Sequence, residues 1–156
     1  MAKMKFNAGD EYARKLDKFG KDAPEIAKKV VRAGANPVAD EIRKNLVANL
    51  NDPAYAGKGD GGLFGGKRNR PTGELLDSFG VTRPMVDKNG NTNVKIGFGG
   101  YDSKGVPQAL KARAMESGTS TLKKRPFVRP AVKKTKGIAV DAMGKELDEQ
   151  LKIYSL

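Results

Sequence analysis

An α+β fold is predicted by three features of the chain. A long helical stripe of apolar residues lies near the N-terminus, apolar residues alternate in the middle, and a second helical stripe runs to the end. The expected architecture is a long N-terminal helix, kinked or split, and a C-terminal helix, both packed on a small antiparallel sheet built around a β-hairpin. With 156 residues, 38% of them hydrophobic and 31% charged, the chain is expected to form a single domain, 1–156, around a modest core.

The elements follow in order. Tyr12, Leu16 and Phe19 share one face at helical spacing, and Gly20 is expected to end that short helix. Ile26, Val30, Val31, Val38, Ile42, Leu46 and Leu50 then form the strongest stripe in the chain, with Lys and Arg opposite. It reads as a face packed against the protein's own sheet. Pro24 suits a first-turn position, and Pro37 predicts a kink or break near Asn36. Residues 51–73 are rich in Gly and polar residues and predict a flexible loop. Long loops without structure of their own are often functional. Gly57, Gly61, Leu63, Phe64, Lys67 and Arg68 are therefore candidate assembly contacts.

The period then changes to two. Phe79, Val81 and Met85 alternate, as do Val94, Ile96 and Phe98, and Asn89-Gly90 between them is a strong hairpin signal. Pro84 cannot donate to a ladder, so its strand is an edge or is bulged there. A lone hairpin is not stable, which requires packing on the long helix. "VPQALKARAMESG" predicts a short helix with Pro107 near its start and Gly118 just past its end. From Pro130 onward a terminal helix is expected. Val132, Thr135, Ala139, Ala142 or Met143, Leu147, Leu151 and Tyr154 form its apolar side, and Gly137 and Gly144 weaken it by about 1 kcal/mol each.

Composition removes most catalytic designs. The absence of Cys excludes disulfides and thiolate chemistry, and the absence of His excludes the commonest general base and metal ligand. The carboxylate pairs Asp10-Glu11 and Asp40-Glu41 lie on helix faces among Lys and Arg and read as solvated salt-bridging surfaces. Gly61-x-x-x-x-Gly66-Lys67 has the spacing of a phosphate-binding loop. However, Arg68 stands where a hydroxyl should meet magnesium, and Pro71 blocks the helix that would follow. No enzymatic activity and no cofactor or metal are expected. The longest apolar runs are too short to span a bilayer. The first residues lack the apolar core of a secretory signal, so cytoplasmic synthesis is expected.

Net charge is +12 and unevenly placed. Residues 104–136 hold ten Lys or Arg against the single acid Glu116, whereas the last 20 residues carry a net −2. Such a field favours a polyanion or an acidic protein surface. Lys123, Lys124, Lys133, Lys134 and Lys136 are candidate contacts to either. Phe127 is the only aromatic between Tyr101 and Tyr154, so base stacking is poorly served. Nucleic-acid binding, the alternative function, would be nonspecific and strongly salt-dependent.

Within this basic segment, "MESGTSTLKKRPFVRPA" (115–131) fixes its backbone twice. Pro126 and Pro130 have a fixed φ, and Arg125 and Arg129 are held extended before them. Phe127 can anchor such a strap in the core, and Glu116 is expected to pair with Arg125 or Arg129. This combination of Glu116, Gly118-Thr119 and Arg125-Pro126-Phe127-x-Arg129-Pro130 resembles the signature of the head–tail joining or tail-completion proteins of long-tailed phages, first described in lambdoid coliphages. Lys124 and Ser117 depart from that pattern, where Ala and an aromatic are more usual. The likeness extends to the order of parts and implies a structural neck subunit, with these eight residues as its assembly signature. It also implies a ring around the DNA channel, often six-fold in such proteins, many of which are monomers before assembly, with other neck and tail proteins as partners, assembly in the host cytoplasm and the virion as its destination.

Overall fold

A computed structural model describes residues 8–52, 72–120 and 122–154, with side chains from residue 12 onward. The loop contacts Gly57, Gly61, Leu63, Phe64, Lys67 and Arg68 and the Asp10-Glu11 pair lie outside what it describes.

The fold is α+β. Helix α1 (Ala8–Asn51) runs unbroken through Gly20, Pro24 and Pro37. This corrects the short first helix ending at Gly20, the break at Asn36 and the first-turn position of Pro24. At 1.5 Å per residue α1 is about 66 Å long. An internal Pro costs a helix about 3 kcal/mol, and burial against helix α4 (Val128–Lys152) offsets that cost. Both prolines lie inside the stretch that α4 covers. The two helices run antiparallel, as a series of cross-bonds records. Tyr154 Oη donates to Asp22 Oδ2 at 2.7 Å, Lys29 Nζ to Gln150 Oε1 at 3.1 Å, and Lys134 Nζ to Glu41 Oε1 at 2.7 Å.

Small residues set the helix spacing. Ala131, Thr135 and Ala139 are the buried positions of α4. On α1, a Cβ added to Gly34 would lie 2.6 Å from Met143 Cγ. Thr135 is satisfied inside this contact, its hydroxyl donating to the Ala131 carbonyl at 2.8 Å. Val132 and Leu147, expected on the apolar side, are exposed instead. Ala131 takes the inward place because only a small side chain fits where the two helices approach closely.

Between the helices lie α2 (Glu74–Asp77), β1 (Phe79–Val81), β2 (Met85–Val86), β3 (Thr92–Asn93), β4 (Ile96–Phe98) and α3 (Gln108–Ser117). β1 pairs with β4 and β2 with β3, both antiparallel, as the two halves of one interrupted hairpin. The interruption falls at Pro84, as its missing N–H requires. Thr82 bridges the gap: its N–H donates to the Lys95 carbonyl at 2.8 Å, and its hydroxyl accepts from Lys95 N–H at 3.0 Å. The hairpin tip is wider than a two-residue Asn-Gly turn. Asp87 Oδ1 accepts the N–H groups of Asn89 and Asn91, and Gly90 supplies a φ of 82°.

The core gathers Ile42 and Leu46 of α1, Phe79 of β1, Ala112 and Met115 of α3, and Phe127 and Ala131 at the start of α4. Of the α1 stripe, Ile26, Ile42 and Leu46 are buried and Val30, Val31, Val38 and Leu50 half-buried.

Candidate assembly surface

The segment 118–130 links the end of α3 to the start of α4, and from Arg125 onward its backbone donors can be followed one by one. Arg125 N–H donates to the Met115 carbonyl at 2.7 Å, which is one of the open carbonyls at the end of α3. Pro126 has no N–H. The N–H groups of Phe127, Val128 and Arg129 all donate to the Glu116 carboxylate, at 2.7, 2.9 and 3.0 Å. Pro130 again has no N–H. A helix leaves its first four N–H groups without intrahelical partners. Here Glu116 takes three, and proline deletes the fourth.

Glu116 therefore caps α4 from eleven residues upstream, a task that Phe127, the residue at the cap position, cannot perform with its own side chain. Its side chain is 12% exposed. Burial by itself would raise the Glu116 carboxyl, but the N–H groups of Val128, Phe127 and Arg129 outweigh it and hold the group below its ordinary value. The expected ion pair with Arg129 exists only at its outer limit, Nε to Oε1 4.0 Å, with the Arg129 side chain 81% exposed. The carboxylate acts mainly on backbone, not on a side chain.

The Gly-Thr step is a turn that brings the strap back over α3. Gly118 ends α3 with a φ of 77°, and a Cβ there would lie 3.0 Å from both Lys124 Cβ and Lys124 N. Thr119 closes the turn reciprocally with Leu122, through its N–H to the Leu122 carbonyl and its hydroxyl from Leu122 N–H, both at 2.9 Å. On the other side, Asn49 Nδ2 donates to the Arg125 carbonyl at 3.1 Å and Asn45 Nδ2 to the Phe127 carbonyl at 3.2 Å. One helical turn of α1 thus holds two alternate carbonyls of the strap. Phe127 is fully buried, edge-on to Phe98 with ring centroids 5.9 Å apart, and Phe98 in turn meets Phe79 at 5.3 Å.

What the rigid strap presents is charge. Lys123 and Lys124 are exposed on it, and Arg129, Lys133 and Lys136 follow at i, i+4 and i+7 on one exposed face of α4. Lys134 leaves this group, since it is bonded to Glu41 of α1 and holds that carboxyl below its ordinary value. Arg125 is half-buried and contributes its backbone. No described helix is long and apolar enough to cross a membrane.

The family described as "Bacteriophage HK97-gp10, putative tail-component" matches residues 10–118, well over half of the chain. The protein belongs to this family. Within the HK97-gp10-like family it is a phage structural protein of the tail, with the virion as its destination and tail proteins as its partners. The matched span takes in α1, the hairpin, α3 and Glu116, and it ends at Gly118, before Arg125–Pro130. No curated protein and no solved structure matches the chain.

The structure brings Glu116, Gly118, Thr119, Arg125, Phe127 and Arg129 into one hydrogen-bonded unit, with Pro126 and Pro130 at the two positions that need no acceptor. Asn45 and Asn49 belong to the same unit and were not read from the sequence. Their signal was two Asn residues four apart inside a helix, where Asn is a poor helix former.

Proposed function

We propose that the protein is a ring subunit of the neck that joins head to tail or completes the upper end of the tail, and that Glu116, Gly118-Thr119 and Arg125-Pro126-Phe127-x-Arg129-Pro130 form its assembly signature. The supporting observation is that each backbone N–H from Arg125 to Arg129 has an acceptor, which fixes an exposed basic ridge to the core through Phe127. A joint between two preformed structures needs a surface that is rigid before contact, because flexible side chains and loops lose entropy on docking. In this reading Lys123, Lys124, Arg129, Lys133 and Lys136 meet an acidic surface of the neighbouring ring or the DNA passing through the channel. Cryo-electron microscopy of particles carrying a tagged copy tests the position. A ring of density at the head-proximal end of the tail is expected. Density spread along the tail shaft, or at its distal tip, would overturn the neck assignment.

Nonspecific nucleic-acid binding is the second reading, favoured by the helical spacing of Arg129, Lys133 and Lys136 on an exposed face. Its discriminator is a salt titration of duplex binding by wild type and by the Lys123→Ala/Lys124→Ala/Lys133→Ala/Lys136→Ala variant. Affinity that falls steeply with salt in the wild type, with a slope reduced by up to about 3–4 in the variant, would support it. No binding at low salt would remove it.

A further inference from the structure

A cleft opens between β4, α3 and the first turn of α4. Its floor is apolar, formed by Ile96 and Phe98 of β4, Ala112 of α3, and Phe127 and Val128. The register Phe79↔Phe98 and Val81↔Ile96 puts both β4 side chains on one face of the strand. The rim carries two guanidinium groups, Arg113 of α3 and Arg129 of α4, together with Glu116. The cleft measures 270 Å³. That is room for one Leu- or Phe-sized side chain, since a cavity of about 150 Å³ already binds benzene.

The described residues do not complete this cleft. Ile96, Phe98 and Val128 pack against the core on one side, yet each stays only half-buried. Arg113 is exposed and makes no hydrogen bond or ion pair among the described residues. Arg129 approaches Glu116 only to 4.0 Å. Glu116 has little left to give either arginine, because its oxygens already accept from the N–H groups of Phe127, Val128 and Arg129. It is also the single acid among residues 104–136, against ten bases. The rim is therefore left positive above an apolar floor.

Charge and polarity together decide what fits there. A phosphate would meet the guanidinium groups but gains nothing from an apolar floor. A wholly apolar segment would fill the floor but leave the rim charge unanswered. An apolar side chain flanked by a carboxylate answers both, and a pocketed apolar anchor beside an Arg is the usual make-up of a binding hot spot. We infer that this cleft receives such a segment, an apolar side chain next to an Asp or Glu, from a different protein of the tail. Arg113, which lies outside the strap, then belongs to the assembly surface, and Phe127 both anchors the strap and backs the cleft. This deepens the reading of the protein as a ring subunit and rests on it.

The test uses assembled particles. Benzoylphenylalanine replaces Ala109, an exposed residue one turn before Arg113 on α3. The particles are irradiated and the linked peptides sequenced by mass spectrometry. The expected link is to one segment of another tail protein, with an Asp or Glu beside a large apolar residue. That segment is then synthesised as a peptide and titrated into the purified protein. Arg113→Glu should weaken binding roughly tenfold or more, Arg113→Lys should weaken it less, and changing the peptide's acid to Lys should restore binding to Arg113→Glu. Arg113 is exposed, so an unchanged Tm should accompany these losses. Unchanged affinity in Arg113→Glu, a linked segment without an acid, or incorporation without any link overturns the cleft and leaves the ring reading standing. A link to DNA overturns it in favour of nucleic-acid binding, and a link to a second copy of this chain overturns the choice of partner. Absence of the protein from particles removes the ring reading, and the cleft assignment with it.

Discussion

Replacing Glu116 by Gln keeps size and shape while removing the charge, and so isolates the capping role. In the wild type Oε2 accepts from Phe127 and Val128, and Oε1 from Arg129. An amide can place its oxygen against the first pair, but its NH2 then faces the Arg129 N–H, and one donor is lost outright. Hydrogen bonds to charged groups contribute roughly 1.5–3 kcal/mol each, and helix caps about 0.5–2 kcal/mol. A loss of about 2–3 kcal/mol is expected, which for a chain of this length lowers Tm by roughly 4–12 °C. Thermal unfolding followed by circular dichroism at pH 7 measures it. A pH series adds a second check. The folded-state pKa of Glu116 lies below its unfolded value of about 4.3. Its stabilisation is therefore present above that value and is lost as pH falls through the folded pKa. The gap between wild type and variant should be full at pH 7 and should shrink below about pH 4. Equal stability at pH 7, or a gap that does not change with pH, would refute the cap.

Phe127→Ala removes the fully buried anchor and should cost about 3–5 kcal/mol, with loss of hydrogen-exchange protection across 125–130; retained thermal stability would count against an anchoring role. Asn45→Ala and Asn49→Ala each remove one bond to the strap and should cost about 1 kcal/mol apiece, and the pair should exceed either single change in urea unfolding. Gly34→Leu drives a side chain into the space that Met143 occupies, and overpacking of this kind costs about 1–3 kcal/mol. Combination with Met143→Ala should recover part of that loss, whereas additive effects would mean that the two residues are not in contact.

Much of the fold could be read from the residues. The α1 stripe, the hairpin and its interruption at Pro84 follow from periodicity and from the missing N–H of proline. The continuity of α1 could not be read, because local rules place stops at Gly20 and Pro37 while the partner that overrides them lies about a hundred residues away. The inward face of α4 was read correctly at Thr135, Ala139 and Tyr154, but Val132 and Leu147 were placed inward and Ala131 was not, for a related reason. Ala131 offers little hydrophobicity, and its burial depends on close approach to another helix. In the strap, Phe127 was legible as anchor and the prolines as constraint, but Arg129, expected to be extended before Pro130, is helical in the first turn of α4. Glu116 was noticed for its charge and assigned to an arginine. That pair exists with Arg129 at 4.0 Å, but the closer partners are backbone N–H groups at 2.7–3.0 Å, which composition cannot display. The two prolines also gain a second meaning from the structure: they remove the two N–H groups that the Met115 carbonyl and the Glu116 carboxylate do not serve.

The most direct test of a structural role at the neck is deletion of the gene from the phage that carries it, followed by electron microscopy of the lysate. DNA-filled heads beside separate, unattached tails are expected, with particles restored by the wild-type gene supplied in trans. Normal virions in normal numbers would contradict a role in joining head to tail.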